Sequence, residues 1–270
     1  MEPIYLFRKK VWKNLQQQIS NSHQIFLFID YDGTIVPIKK QPRLAVLPLN
    51  TRTLITQLVR NPNIFVGIIT GRSLTDIRNL VRIGHILYAA NHGFQIYHKK
   101  RTWIHPDAKR VLPLLTKVEA ALIKALSPIK GVLIENKGLT LSVHYRNVRV
   151  GNIFRLKITL KQIIQPFREF IKLTSGKKVI EIRPNIPWDK GHAILRILKL
   201  FRATNKSIII FIGDDKTDED AFKLLSSQAT TIRVGKSKSS NAKYYVRNSP
   251  EVGKLLKNII SLKHNRQDRI

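Results

Sequence analysis

Apolar runs and stretches of helical spacing alternate along this chain. Gln24 to Ile29 (QIFLFI) is apolar without a break after its first residue. Such a run predicts a strand buried on both faces, as in a parallel sheet. Tyr31-Asp32-Gly33 interrupts it. Pro48 to Arg60 sets Leu54, Ile55, Leu58 and Val59 on one helical face, and Asn61-Pro62-Asn63 ends that helix. Ile64 to Ile69 (IFVGII) predicts a second buried strand. Thr70-Gly71-Arg72-Ser73 then turns into a helix over Leu74 to Val81, and Ile86 to Ala90 predicts a third strand. Strand, helix, strand, helix, strand is the rhythm of a doubly wound, Rossmann-like parallel sheet.

After Trp103 the rhythm changes. A Leu- and Ala-rich helix is expected over Val111 to Leu126, then a strand over Val132 to Glu135 and a turn at Asn136-Lys137-Gly138. From Leu139 to Arg146, Leu139, Leu141, Val143 and Tyr145 alternate with Thr140, Ser142, His144 and Arg146. That alternation predicts a half-buried hairpin strand with one polar face. A helix is expected over Ile153 to Lys172 and a strand over Lys177 to Arg183. The parallel rhythm resumes past Pro187: helix Lys190 to Phe201, strand Ser207 to Ile212, helix Asp218 to Leu225, strand Thr231 to Gly235. The tail, Lys236 to Ile270, holds an amphipathic helix over Val252 to Leu262. The expected fold class is α/β: a doubly wound core from residues 1–103 and 185–270, interrupted by an inserted α+β cap of residues 104–184.

Composition narrows the chemistry. The 270 residues contain no cysteine, which excludes disulfides, thiolate metal sites and a cysteine nucleophile. Met1 to Lys10 has no apolar run long enough for a signal peptide, and no window approaches a membrane span. A cytoplasmic, monomeric protein without membrane association is the expectation. The formal net charge of +31 invites a nucleic-acid reading. Lys and Arg are nevertheless spread over every stretch from Arg8 to Arg269, without zinc-finger spacing or an RNA-binding aromatic signature. No specific nucleic-acid partner is expected, and a general attraction for phosphorylated anions is.

Three polar turns fall at the C-terminal ends of expected strands, where open parallel sheets bind ligands. They are Asp30-Tyr31-Asp32-Gly33-Thr34, Thr70-Gly71-Arg72 and Gly213-Asp214-Asp215-Lys216-Thr217-Asp218. Asp189-Lys190-Gly191 stands at a helix start. A buried strand running into two aspartates loses solvation unless the carboxylates have a task. Each fragment also has a plain explanation: a strand-end turn, a helix cap at Gly213-Asp214-Asp215, one of many solvated lysines at Lys190.

Taken together, Asp30-x-Asp32-Gly33-Thr34, Thr70, Lys190 and Gly213-Asp214-Asp215-x-x-Asp218 resemble the four motifs of haloacid-dehalogenase-like phosphatases. Thr70-Gly71-Arg72-Ser73, Asn91-His92-Gly93, Glu135-Asn136-Lys137-Gly138, His144-Tyr145-Arg146, Glu181-Ile182-Arg183-Pro184 and Gly213-Asp214-Asp215-x-Thr217-Asp218-Glu219 resemble the trehalose-6-phosphate phosphatases within them. The similarity runs from about Gln24 to Leu256. One departure is Asp189 ahead of Lys190, where that family often has Asn or Ser.

The resemblance implies Mg²⁺-dependent hydrolysis of trehalose 6-phosphate through an aspartyl-phosphate. Asp30 would attack phosphorus, and Asp32 would serve as general acid and then base. Thr70 and Lys190 would hold phosphoryl oxygens, with Asp218 orienting Lys190. Mg²⁺ would be held by Asp30, the backbone carbonyl of Asp32, and Asp214, with Asp215 supporting it from behind. Glu135, Lys137 and Glu181 would bind sugar hydroxyls. Arg72, His92, Gly93, His144 and Arg146 would line the substrate cleft, His92 having a structural reading of equal weight. Other readings stay open: a phosphatase for another sugar phosphate such as sucrose 6-phosphate, a phosphomutase, or a nucleic-acid-binding protein on a phosphatase fold.

Overall fold

The computed structural model describes residues 2–39, 41–176 and 178–267. Lys177, the first residue of one expected strand, and the last three residues of the basic tail lie outside the described residues. The chain divides into two compact units, Met1–Thr102 with Trp188–Ile270, and Trp103–Pro187.

The first unit begins β1 (Ile4–Tyr5), α1 (Lys9–Asn21), β2 (Gln24–Ile29), α2 (Leu49–Arg60), β3 (Ile64–Ile69), α3 (Leu74–Val81), β4 (Leu87–Ala90), β5 (Gln95–His98) and β6 (Arg101–Ile104), the last of which runs into the second unit. The second unit continues α4 (Pro106–Arg110), α5 (Leu112–Leu126), β7 (Leu133–Asn136), β8 (Leu141–His144), α6 (Val150–Ile164), β9 (Ile171–Gly176) and β10 (Val179–Pro184). The chain then returns to the first unit with α7 (Lys190–Leu200), β11 (Ser207–Gly213), α8 (Lys216–Leu224), β12 (Thr230–Val234), β13 (Tyr244–Val246) and α9 (Ser249–Gln267).

The large sheet has the order β1-β13-β12-β11-β2-β3-β4-β5-β6. Its centre is parallel: β2 pairs with β11 on one side and β3 on the other. This is the α/β class expected from the apolar runs. Successive residues of β2 serve opposite layers, as a period of two requires. Ile25, Leu27 and Ile29 join the core built with Leu15 and Ile19 of α1, Ile55 and Leu58 of α2, and Leu255 and Ile259 of α9. Phe26 lies on the other face, where it stacks on Phe65 at 4.8 Å. On that face Phe211 of β11 meets Phe222 of α8 at 5.3 Å. The sequence of crossovers reverses at β2: the chain winds through β3 and β4 to one side, then through β11, β12 and β13 to the other. Such a switch point opens a crevice at the strand C-termini.

In the second unit β7-β8-β10-β9 form an antiparallel sheet. Leu141, Val143, Ile180 and Ile182 pack on one face against Leu115 and Leu122 of α5 and Leu156 and Leu160 of α6. One expectation needs correction here. The helix foreseen to Lys172 stops at Ile164 in a 3-10 turn containing Pro166, and β9 follows. Proline removes the N–H that would continue the ladder. The alternation expected of the hairpin strand is present in β8, where Leu141 and Val143 enter the core and Ser142, on the polar face, is also fully buried.

Candidate active site

Three candidate residues of the first unit follow directly from the ends of buried strands. Asp30 succeeds β2, Thr70 succeeds β3, and Asp214 succeeds β11; all three are buried. Because β11, β2 and β3 are adjacent, their three exits are neighbours. Two glycines let the carboxylates close in. Gly33 has φ +84, and a Cβ there would lie 2.2 Å from Asp214 Oδ2. A Cβ on Gly213 would lie 2.3 Å from the Asp218 carboxyl carbon. Only hydrogen fits at either place.

Lys190, the first residue of α7, is 3% exposed. Its Nζ donates to Asp30 Oδ1 at 2.7 Å and to Asp218 Oδ1 at 2.8 Å. Asp218 Oδ2 accepts the backbone N–H groups of Asp214 and Asp215, each at 3.0 Å. Asp218 therefore uses both oxygens on Lys190 and the 214–215 backbone, as an orienting residue would. Asp215 is the N-cap of α8, where its side chain and that of Asp218 form a capping box. Asp189 caps α7 by accepting the His192 N–H at 3.0 Å, so the departure noted in the sequence leaves Lys190 in place.

Burial holds the Asp30 carboxyl well above the usual carboxylate range; Lys190 opposes this, while Asp218 and Asp214 add to it. Burial disfavours the charge on Lys190 as well, but Asp218 and Asp30 outweigh it and push its pKa up. One oxygen from each of Asp30, Asp214 and Asp218 lies within 4.8 Å of the others. With Asp218 committed to Lys190, Asp30 and Asp214 are the carboxylates that could hold a cation. An oxygen-only, anion-rich donor set fits a hard divalent ion.

Asp32 sits outside this cluster. Its carboxylate accepts two hydrogen bonds from Arg72, Nε to Oδ2 at 2.6 Å and one terminal nitrogen to Oδ1 at 2.7 Å. The same guanidinium donates to Asp76 at 2.5 Å and to the Pro42 carbonyl at 2.9 Å. Burial works against the charge of Arg72, yet Asp32 and Asp76 raise its pKa further. Arg72, expected to line the substrate cleft, is buried and holds both oxygens of Asp32. A planar fork matched to one carboxylate fixes direction as well as distance.

Thr70 Oγ1 accepts the Arg72 N–H at 3.2 Å. The loop is held from below by Asn91, His92 and Gly93, with φ of 49, 57 and 93. The N–H groups of Asn91 and His92 donate to the carbonyls of Arg72 and Thr70, both at 2.8 Å. The His92 ring lies so close to Gly71 that a Cβ there would be 2.5 Å away. Gly93 is packed too, with Ala193 2.4 Å from where its Cβ would be, and Trp188 Nε1 donates to its carbonyl at 3.0 Å. His92 and Gly93 thus support the Thr70 loop.

In the second unit, Glu135, Ser142, Glu181 and Thr174 stand opposite one another across all four strands. They share the face turned away from α5 and α6. His144 lies two residues from Ser142 on that face, and its Nε2 is 2.8 Å from Glu135 Oε2. Lys137, in the β7–β8 turn, donates to Glu181 Oε1 at 3.2 Å, and both side chains are largely buried. Arg146 is exposed beyond the end of β8. Arg183 stands in the Glu181-Ile182-Arg183-Pro184 motif but was given no role in the sequence; it is buried and shares the phase of Glu181 on β10. A charged residue two positions along a strand from a candidate was the signal.

The chain is similar over nearly all its length to known proteins. Residues 28–250 match the family model described as trehalose-phosphatase. Trehalose-phosphate phosphatase B of Arabidopsis thaliana is 35% identical over 268 residues, 93% of this chain and 71% of that protein. Trehalose 6-phosphate phosphatase RA3 of Zea mays is 32% identical, over 90% and 72%. Among solved structures, one described as a trehalose-6-phosphate phosphatase related protein superposes with a TM-score of 0.79 at 27% identity, covering 89% of this chain and 99% of that one. The C-terminal domain of the Candida albicans trehalose-6-phosphate phosphatase gives 0.81 at 20% identity, covering 97% and 98%, a likeness of fold. The sheet order, the carboxylates at its switch point and these matches agree: the chain belongs to the trehalose-phosphatase family of enzymes.

Proposed function

We propose that the chain hydrolyses trehalose 6-phosphate to trehalose and inorganic phosphate through a phosphoryl group carried on Asp30. The buried group of Asp30 and Asp214 at strand ends with Lys190 and Asp218 on helices carries the reading of the chemistry. The names of the relatives supply the sugar.

In this reading an Asp30 oxygen attacks phosphorus and the bond from phosphorus to the sugar oxygen breaks. Asp32, once one of its oxygens has exchanged its Arg72 hydrogen bond for a proton, gives that proton to the sugar oxygen. A water then attacks the phosphoryl group, loses its proton to Asp32, and leaves Asp30 as a carboxylate with free phosphate beside it. Lys190 offsets charge on a phosphoryl oxygen, and Thr70 donates its hydroxyl to another. Arg72 aims Asp32. Asp30, the carbonyl of Asp32, and Asp214 would hold Mg²⁺. When bound, that ion neutralises charge so that one anion can approach another. Chelation of divalent ions is expected to abolish phosphate release, and Mg²⁺ to restore it. Full turnover in excess chelator would give the aspartates another purpose.

The unit of residues 103–187 is the cap in this proposal and reads the sugar through Glu135, Lys137 and Glu181. A sugar hydroxyl that loses a charged partner should cost about 1.5–3 kcal/mol. Alanine at each position is therefore expected to lower catalytic efficiency on trehalose 6-phosphate roughly ten- to a hundredfold. Turnover of a small aryl phosphate should change little. Equal losses on both substrates, or none, would reduce the proposal to an unspecified sugar-phosphate phosphatase. Sucrose 6-phosphate, assayed alongside, tests the alternative disaccharide. The proposal keeps the cytoplasmic, monomeric setting expected from the sequence.

A further inference from the structure

Helix α6 has apolar residues on two faces. Leu156, Leu160 and Ile164 enter the core of the second unit. Val150, Phe154 and Ile158 recur at four-residue spacing and are 85%, 74% and 41% exposed. At 3.6 residues per turn each step of four drifts only about 40° round the axis, so these three make one outward stripe. Exposed Arg155, Lys157 and Lys161 border it, and the helix contains neither Asp nor Glu. Core packing accounts for the inner face alone; an outward apolar stripe marks a contact.

The occupant must accept both cations and hydrocarbon. A second copy of this chain would bring another +31 and be repelled. Nucleic acid offers phosphates and could stack a base on Phe154, but it gives the aliphatic side chains of Val150 and Ile158 on the same stripe no hydrocarbon to enter. An acidic protein would call for a localised positive patch, whereas Lys and Arg extend from Arg8 to Arg269. An anionic bilayer supplies headgroup phosphates over a broad plane and an acyl boundary beneath them. Among the described residues no helix is long and apolar enough to cross a membrane, so the contact would lie at the surface.

We propose that α6 docks the protein on anionic lipid bilayers, with Phe154 as the inserted anchor and Lys157 and Lys161 at the headgroups. The test is co-sedimentation of the full chain with vesicles of phosphatidylcholine alone and of phosphatidylcholine mixed with phosphatidylglycerol. Binding is expected only with the mixed vesicles, and it should weaken with salt. Phe154→Ser should lower the partition about tenfold, the scale of one lost buried aromatic ring. Lys157→Glu combined with Lys161→Glu should do the same through charge. An unchanged melting temperature and unchanged turnover of an aryl phosphate would establish that each variant is folded. The proposal is overturned if wild type ignores the mixed vesicles, or if Phe154→Ser binds them as wild type does. It is equally overturned if Phe154 instead governs self-association without lipid, or binding of single-stranded DNA.

Discussion

With asparagine at position 30, phosphate release is expected to fall by at least about a thousandfold. The amide has nearly the volume of the carboxylate but is not a nucleophile, and it holds a divalent cation poorly. The loss should be as complete for a reactive aryl phosphate as for a sugar phosphate, because the first bond to phosphorus is missing in both. Asp32→Asn should behave differently. A good leaving group needs no proton, so that variant should form the phosphorylated enzyme and be slow to release it. Mass spectrometry during turnover of an aryl phosphate separates the two: the Asp32 variant gains the mass of a phosphoryl group, and the Asp30 variant does not. Normal turnover by Asp30→Asn would end the covalent mechanism.

Replacing Lys190 with methionine is expected to injure both chemistry and folding. The ammonium is the cation hydrogen-bonded to the buried carboxylates of Asp30 and Asp218. Removing one member of a buried, hydrogen-bonded charge cluster typically costs about 3–5 kcal/mol, because the remaining charges lose their compensation. Urea denaturation followed by aromatic fluorescence would measure it. The penalty should shrink when Asp218→Asn is combined with Lys190→Met, since fewer uncompensated charges then stay buried. Activity should not return in the double variant. Additive losses of stability would mean that Lys190 and Asp218 are not coupled as their 2.8 Å contact requires.

The central strands were legible because a strand covered on both faces has no choice but to be apolar along its length. QIFLFI, IFVGII and SIIIFI became β2, β3 and most of β11. The flanks of the sheet were not legible. β1 has two residues, β13 has three, and β5 and β6 mix His, Gln and Arg with a few apolar residues. Short strands on a sheet's margins need no distinctive pattern. Helix α1 was missed although Leu15 and Ile19, four apart, are its buried residues; a run of Lys, Asn and Gln diluted the signal. At the candidate site, the order of motifs along the chain was readable. The partners of the side chains were not. Sequence could not reveal that Arg72 spans Asp32, Asp76 and the Pro42 carbonyl, contacts 40, 4 and 30 residues away. Nor could it reveal that His92 and Gly93 support the Thr70 loop with a left-handed turn: Asn, His and Gly all adopt that conformation more readily than other residues, but their presence does not dictate it.

The strand pair at the heart of the sheet joins Gln24 to Ser207, 183 residues later. Between them lies a unit whose helices and antiparallel sheet fall entirely within residues 103–187. A ribosome delivers the chain from one end, so the order of manufacture differs from the order of importance. The inserted unit has all its own contacts in hand while β2 still waits for β11 to be synthesised. Until then one long edge of β2, apolar on both faces, has no neighbour. Asp30 and Asp32 are made early but stand without Lys190 and Asp214. A chain ended before Ser207 therefore contains every residue of the insert but lacks β11, and with it one parallel neighbour of β2 and Asp214.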